Sequence, residues 1–164
     1  MYDFTSKIGQ IILHNFMLYD FFDNWSPESA YFLGLLWADG CLFKTCMKFG
    51  LKLEDESLVR LFAERIQYDG SFTISEPCVR PDGVRSSGFI QFNIVNQKLS
   101  RSLKKKGLVE NKTYLDLPFP KIPERFFWHF VRGYFDGDGS VFKTSQGYYR
   151  ISIVGTPVFL EQIK

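Results

Sequence analysis

Asp39 and Asp138 each close an apolar, glycine-bearing stretch, and the two stretches match. Phe32-Leu33-Gly34-Leu35-Leu36-Trp37-Ala38-Asp39-Gly40 aligns without gaps on Val131-Arg132-Gly133-Tyr134-Phe135-Asp136-Gly137-Asp138-Gly139. Gly34 to Gly133, Asp39 to Asp138 and Gly40 to Gly139 are each 99 positions apart. A carboxylate at the C-terminal end of a helix meets the negative pole of the helix dipole. Two such carboxylates brought together repel, which raises at least one pKa. That arrangement needs a compensating cation, and hard oxygen ligands in a partly hydrated geometry suit Mg²⁺ (or Mn²⁺). A divalent ion held this way activates a water and stabilises the leaving oxygen of a phosphodiester.

The residues around the acids say how they would be positioned. Gly34 and Ala38 are four apart, as are Gly133 and Gly137, so each pair shares one helix face. Small residues on that face let two helix backbones approach closely. A packing seam alone would explain the small residues but not the acids. Ser26-Pro27 reads as an N-cap and first-turn proline opening a helix that stops at Asp39-Gly40. Cys41–Leu53 then reads as two strands turning near Thr45. Asp55 caps a helix to about Ile66, with Leu58, Leu61 and Phe62 on one face. Ser71–Ser75 and Phe89–Val95 read as a second hairpin through Pro81-Asp82-Gly83, and Asn96 caps a helix ending at Gly107. The pattern then restarts: a helix from Pro123 to Asp138, strands over Val141–Lys143 and Tyr148–Val154, and a helix opened by Thr156-Pro157. A further short helix is expected over Lys7–Leu18.

Composition bounds the class. At 164 residues, 45% apolar and 18% aromatic, the chain has enough material for a packed core. No apolar run reaches membrane-spanning length without a charge, and Met1–Gln10 lacks the apolar core of a signal peptide. Cys41, Cys46 and Cys78 form no paired motif, which favours reduced thiols and an expected cytoplasmic or organellar-matrix setting, not a secreted one. The net charge is only +2, but Lys98, Arg101, Lys104, Lys105, Lys106 and Lys112 face one acid, Glu110, over a single stretch. Such a run near a helix C-terminus is also what the dipole alone favours.

The paired motif resembles LAGLIDADG, the signature of the LAGLIDADG homing endonucleases and their relatives. Gly133-Tyr134-Phe135-Asp136-Gly137-Asp138-Gly139-Ser140 is the closer copy, and the first copy has Trp37 where the family often has an acid. The resemblance runs from about Trp25 onward and includes Gly107–Thr113 and Leu117-Pro118-Phe119-Pro120. It implies an α+β, pseudo-two-fold fold of αββαββα repeats with antiparallel, saddle-shaped sheets. The parts would be a leading segment (1–25), a first repeat (26–110), a linker (111–122) and an incomplete second repeat (123–164). It implies metal-holding positions at Asp39 and Asp138 with the adjoining Gly40 and Gly139. Lys112 would be the basic residue near the scissile phosphate, while Asp136 falls on a motif acid that the family does not use catalytically.

Strand alternation supplies the candidate DNA surface. Ile90, Phe92 and Ile94 face a core and leave Gln91 and Asn93 outward; Met47, Phe49, Leu51 and Leu53 leave Lys48 and Lys52 outward. Tyr149, Ile151 and Ile153 face inward and leave Arg150 and Ser152 outward. Lys44, Arg80, Arg85 and Lys143 extend this set on turns and hairpins. These residue types contact phosphates and base edges, although a wet outer face is ordinary for an antiparallel sheet. The expected activity is therefore divalent-metal-dependent, site-specific cleavage of double-stranded DNA at a long, nearly asymmetric target, by a monomer if full length. The source would be intron-borne or free-standing mobile DNA. The alternatives are a non-cleaving relative (an RNA maturase or DNA-binding regulator) and a split fragment that needs a complementary piece.

Overall fold

The computed structural model describes residues 19–79, 81, 83–112 and 115–164. The expected helix over Lys7–Leu18, and Arg80 and Asp82 of the second hairpin, lie outside the described residues.

Helix α1 (Pro27–Ala38) begins at a reciprocal capping box. The Ser29 amide donates to Ser26 Oγ at 3.0 Å and the Ser26 amide donates to Ser29 Oγ at 2.8 Å, satisfying two helix-start donors. Nearly every α1 side chain from Ser29 to Trp37 is buried, so it is a central helix and not a surface one. Strands β1 (Cys41–Phe43) and β2 (Cys46–Lys52) follow as a hairpin, with Lys44 in the left-handed region at the turn. Helix α2 (Glu56–Arg65) comes next through a 3₁₀ turn at Leu53–Asp55. Asp55 stands at its N-cap without a side-chain capping bond. The buried stripe of α2 is Val59, Phe62 and Ala63, whereas Leu61 faces out, one position off the expected face.

The second hairpin is longer than expected. Strand β3 (Thr73–Ser75) and strand β6 (Phe89–Val95) pair directly, and between them β4 (Cys78–Val79) and β5 (Arg85–Ser86) form a small extension. The main sheet has the antiparallel order β1-β2-β6-β3. Met47 lies opposite Ile94 and Phe49 opposite Phe92, so one face of the sheet is continuous core. Helix α3 (Gln97–Lys105) is capped by Asn96, which accepts from the Lys98 and Leu99 amides, and closes before Gly107 at φ +93°. The core is aromatic: Phe62 stacks on Phe32 at 4.5 Å and meets Phe49 and Phe92 edge-on. Leu51 and Leu53, expected inside, are half-buried at the margin where β2 runs into the 3₁₀ turn.

A second helix–hairpin unit follows. Helix α4 (Phe127–Asp138) starts after a 3₁₀ turn at Glu124–Phe126 and runs into β7 (Gly139–Lys143), β8 (Tyr149–Ile153) and the short α5 (Pro157–Leu160). Thr156 caps α5 through the Phe159 amide. Here one expectation fails. Tyr149 and Ile151 do not face a core: they are 74% and 72% exposed, and Val141 opposite Ile151 is 58% exposed. Ile153 on the same face is half-buried against the core, as expected, but among the described residues no third strand joins the hairpin, so alternation gave Tyr149 and Ile151 a common side and not a partner. The architecture is mixed α+β with antiparallel sheets. No helix among the described residues is long and apolar enough to cross a membrane.

Candidate functional site

Helices α1 and α4 lie against each other along the small-residue seam. A Cβ added to Gly34 would overlap the Phe130 carbonyl and come within 2.7 Å of the Tyr134 amide nitrogen. One added to Gly133 would overlap the Tyr31 carbonyl and come within 3.1 Å of the Leu35 amide nitrogen. Tyr31 to Phe130 and Leu35 to Tyr134 are again 99 positions apart, so the contact is reciprocal. A Cβ on Gly137 would overlap the Ala38 methyl and lie 2.6 Å from Asp39 Oδ2. Gly137 therefore makes room for the Asp39 carboxyl. Gly40 and Gly139 also have a steric reason: a Cβ at either would strike the last turn of its own helix, at Leu36 or Phe135.

The seam brings the two acids to neighbouring helix ends. Burial, then the charge of Asp138, pushes the Asp39 carboxyl above its ordinary pKa; Lys112 opposes this and Asp55 adds to it. Lys112 reaches in from the segment between the units and its Nζ donates to the carbonyl of Ala38, an orphan acceptor at the end of α1. Burial lowers the Lys112 pKa, while Asp138 and then Asp39 hold it up. Lys112 and Asp138 line one cavity of about 350 Å³ with Ala38 and Tyr134. Asp39 lines another of about 540 Å³ with Lys48, Lys52, Gln91 and Asp136. The helix ends thus adjoin the outer face of the main sheet.

Asp136 has a separate partner. Tyr31 Oη donates to Asp136 Oδ2 at 2.7 Å across the helix pair, and Arg132 Nε stands 4.0 Å away. Burial and this carboxylate push the Tyr31 phenol up. Trp37, at the matching place in the first motif, is buried and packs its ring on Phe130 and Phe159. Both non-site motif positions therefore tie the two units together. Sequence reasoning did not single out Tyr134, whose hydroxyl donates to the Val154 carbonyl at 2.8 Å and lies against Asp138. The available signal was a tyrosine where the first motif has Leu35.

The candidate DNA residues fall into groups. Lys48 lies opposite Asn93, and Gln91 opposite Gly50, on the uncovered side of the main sheet. Lys52 is on the same side and pairs with Glu54 at 3.7 Å. Lys44 is exposed on the β1–β2 turn, and Arg85 is exposed on the β4–β5 extension. Arg150 and Ser152 are exposed on one face of the second hairpin. The ladder places Lys143 on the other face with Tyr149, so it does not join them. Much of the basic run is committed elsewhere: Lys98 pairs with Asp20, Lys104 with Glu110, and Lys106 sits 3.8 Å over the Trp25 ring.

Among the described residues no three His, Cys, Asp or Glu side chains converge to form a metal cage. The two motif carboxylates suit a hard cation that keeps most of its water, since Mg²⁺ is commonly held by one or two carboxylates. The desolvated, repelled carboxyl of Asp39 is the observation that fits such an ion. No protein-family model and no curated protein matches this chain.

Proposed function

We propose that the chain is a site-specific double-stranded DNA endonuclease of the LAGLIDADG homing type, with the pseudo-two-fold fold of that family. The observation that carries the reading is the reciprocal helix seam that sets Asp39 and Asp138 at adjoining helix ends beside Lys112. Asp39 and Asp138 would hold Mg²⁺ or Mn²⁺, and the ion, when bound, supplies an activated water and neutralises charge on the phosphodiester. Gly40 and Gly139 would act by letting the backbone turn tightly at the acids. The Lys112 ammonium, anchored on the Ala38 carbonyl, would face the charge that develops on the phosphoryl oxygens. Lys48, Gln91 and Asn93 would grip the duplex from the sheet face beside Asp39.

The test is cleavage of a target selected from a randomised DNA library, with Mg²⁺, by the parent and by Asp39→Asn and Asp138→Asn. Each variant is expected to lose at least about a hundredfold in rate, of the order seen when one preorganised charge is removed. Parental rates in both would sink the assignment. DNA binding that persists in chelator without cleavage would instead favour a non-cleaving DNA-binding regulator or, with RNA, a maturase. A second reading has its own support: the bare apolar face of β7–β8 favours a protein that works only with a complementary piece.

A further inference from the structure

We propose that Phe43, Cys46 and Val95 form a specificity-determining row that reads thymine methyl groups in the major groove of the target DNA. The proposal deepens the endonuclease reading and rests on it for the identity of the ligand. The row follows from the register of the main sheet. Phe43 lies opposite Cys46, and Cys46 lies opposite Val95, so three neighbouring strands present these side chains on one face. That face is the uncovered one, since the alternating residues Leu42, Met47 and Ile94 are buried in the core. Phe43 is 57% and Val95 70% exposed.

An apolar row on this face needs a reason, because the adjoining rows carry Lys48 and Asn93, then Gln91 and Thr73. Phe89, at the far end of β6, is the other large apolar side chain on this face among the described residues. The row is also firmly held. The Lys44 carbonyl accepts from Ser100 Oγ at 2.8 Å and the Thr45 carbonyl accepts from the Asn96 amide at 2.9 Å, which fixes the β1–β2 turn on the start of α3. Cations flank it: Lys44 Nζ lies 5.3 Å from the Phe43 ring centroid, and Lys48 stands in the next row. The acid at this turn, Glu110, is engaged by Lys104 at 3.0 Å. An apolar strip between two ammonium groups suits a groove floor between phosphates.

None of the three side chains offers a strong hydrogen bond to a base edge. Against the polar edge of guanine, cytosine or adenine they would strip water without replacing its bonds. The thymine C5 methyl is the apolar group that the major groove displays. A row spanning three strands is roughly 10 Å across, within a groove of about 12 Å. Successive rows are roughly 7 Å apart along the strands, about two base-pair steps. The cavity beside Asp39 is lined by Lys48 and Gln91 but not by Phe43, Cys46 or Val95. The thymines therefore belong about two base pairs outside the positions met by Lys48 and Asn93.

The experiment selects duplexes from a randomised library by binding to the chain in Ca²⁺, and measures affinity for the selected duplex by fluorescence anisotropy. Thymine is expected about two base pairs outside the positions whose preference Lys48→Ala or Asn93→Ala relaxes. Uracil in its place, which removes one methyl group and nothing else, should weaken binding about fourfold, the factor that burying one such group gives. Phe43→Ser and Val95→Ser, at exposed sites that leave the core intact, should each narrow that difference, and together abolish it. Equal affinity of the parent chain for the thymine and uracil duplexes overturns the proposal, as does a fourfold difference that survives in the double variant. Cleavage in Mg²⁺ with no such difference leaves the endonuclease reading standing and removes this one. Discrimination between thymine and uracil without cleavage does the reverse. A chain that selects no duplex removes both.

Discussion

Asp39 is the acid whose charge the fold tolerates least. Its folded-state pKa lies above that of an unfolded aspartate because burial and Asp138 both disfavour the carboxylate. A raised carboxyl pKa gives stability that is fully present below the unfolded value, about 3.9, and is lost as pH rises through the folded value. At neutral pH in chelator the ionised group is therefore a net liability. Asp39→Asn should raise the melting temperature at pH 7 by a few degrees, with the gain shrinking towards pH 4. Thermal melts of both chains across that range check it, and a fall at pH 7 would mean that the attraction of Lys112 outweighs burial and Asp138. Asp39 and Asp138 were legible from their repeated context. Tyr134 was not, because a tyrosine in an apolar helix reads as core until the strand end that it bonds is placed beside it.

Among the elements, the α1–α4 pair sets the geometry of everything near the acids. Gly133→Ala tests it. In an isolated helix this change stabilises by up to about 1 kcal/mol. Here the added methyl would meet the Tyr31 carbonyl and the Leu35 amide, which are backbone and cannot swing aside. Overpacking costs about 1–3 kcal/mol, so we expect net destabilisation in urea unfolding and, on the proposed endonuclease reading, a loss of cleavage as Asp39 and Asp138 move apart. Unchanged stability would show that the helices do not touch there. The seam was readable because glycine inside a helix is costly unless something such as a close backbone approach calls for it, and Gly34 and Gly133 repeat in matching contexts. The β4–β5 extension was not, since two-residue strands carry too little alternation to stand out from a turn.

At the scale of the molecule the two units differ in how their hairpins are covered. Leu42 and Met47 of the first hairpin are buried under helices and beside β6, whereas Val141 and Ile151 of the second are exposed. Met47→Ala should therefore cost about 2–5 kcal/mol in denaturant unfolding. The pair Val141→Thr and Ile151→Thr should stay within about 0.5 kcal/mol per residue in the dilute, isolated chain. A cost in the hairpin pair equal to that of Met47→Ala would mean that this face is already covered, and would remove the support for a complementary piece.

What the sequence determined by itself was local or repeated: the caps at Ser26, Asn96 and Thr156, the alternation in β2 and β6, the helix seam, and the acids that end it. These follow from short-range geometry, in which a residue type and its spacing constrain one turn, one strand face or one helix face. The tertiary structure decided what no spacing encodes. It gave Trp37 and Asp136 cross-unit partners, placed Lys112 on the Ala38 carbonyl, set Lys143 apart from Arg150, and left Val141, Tyr149 and Ile151 of β7–β8 exposed. Each depends on which distant surface arrives opposite a side chain, and that is settled only when the elements pack.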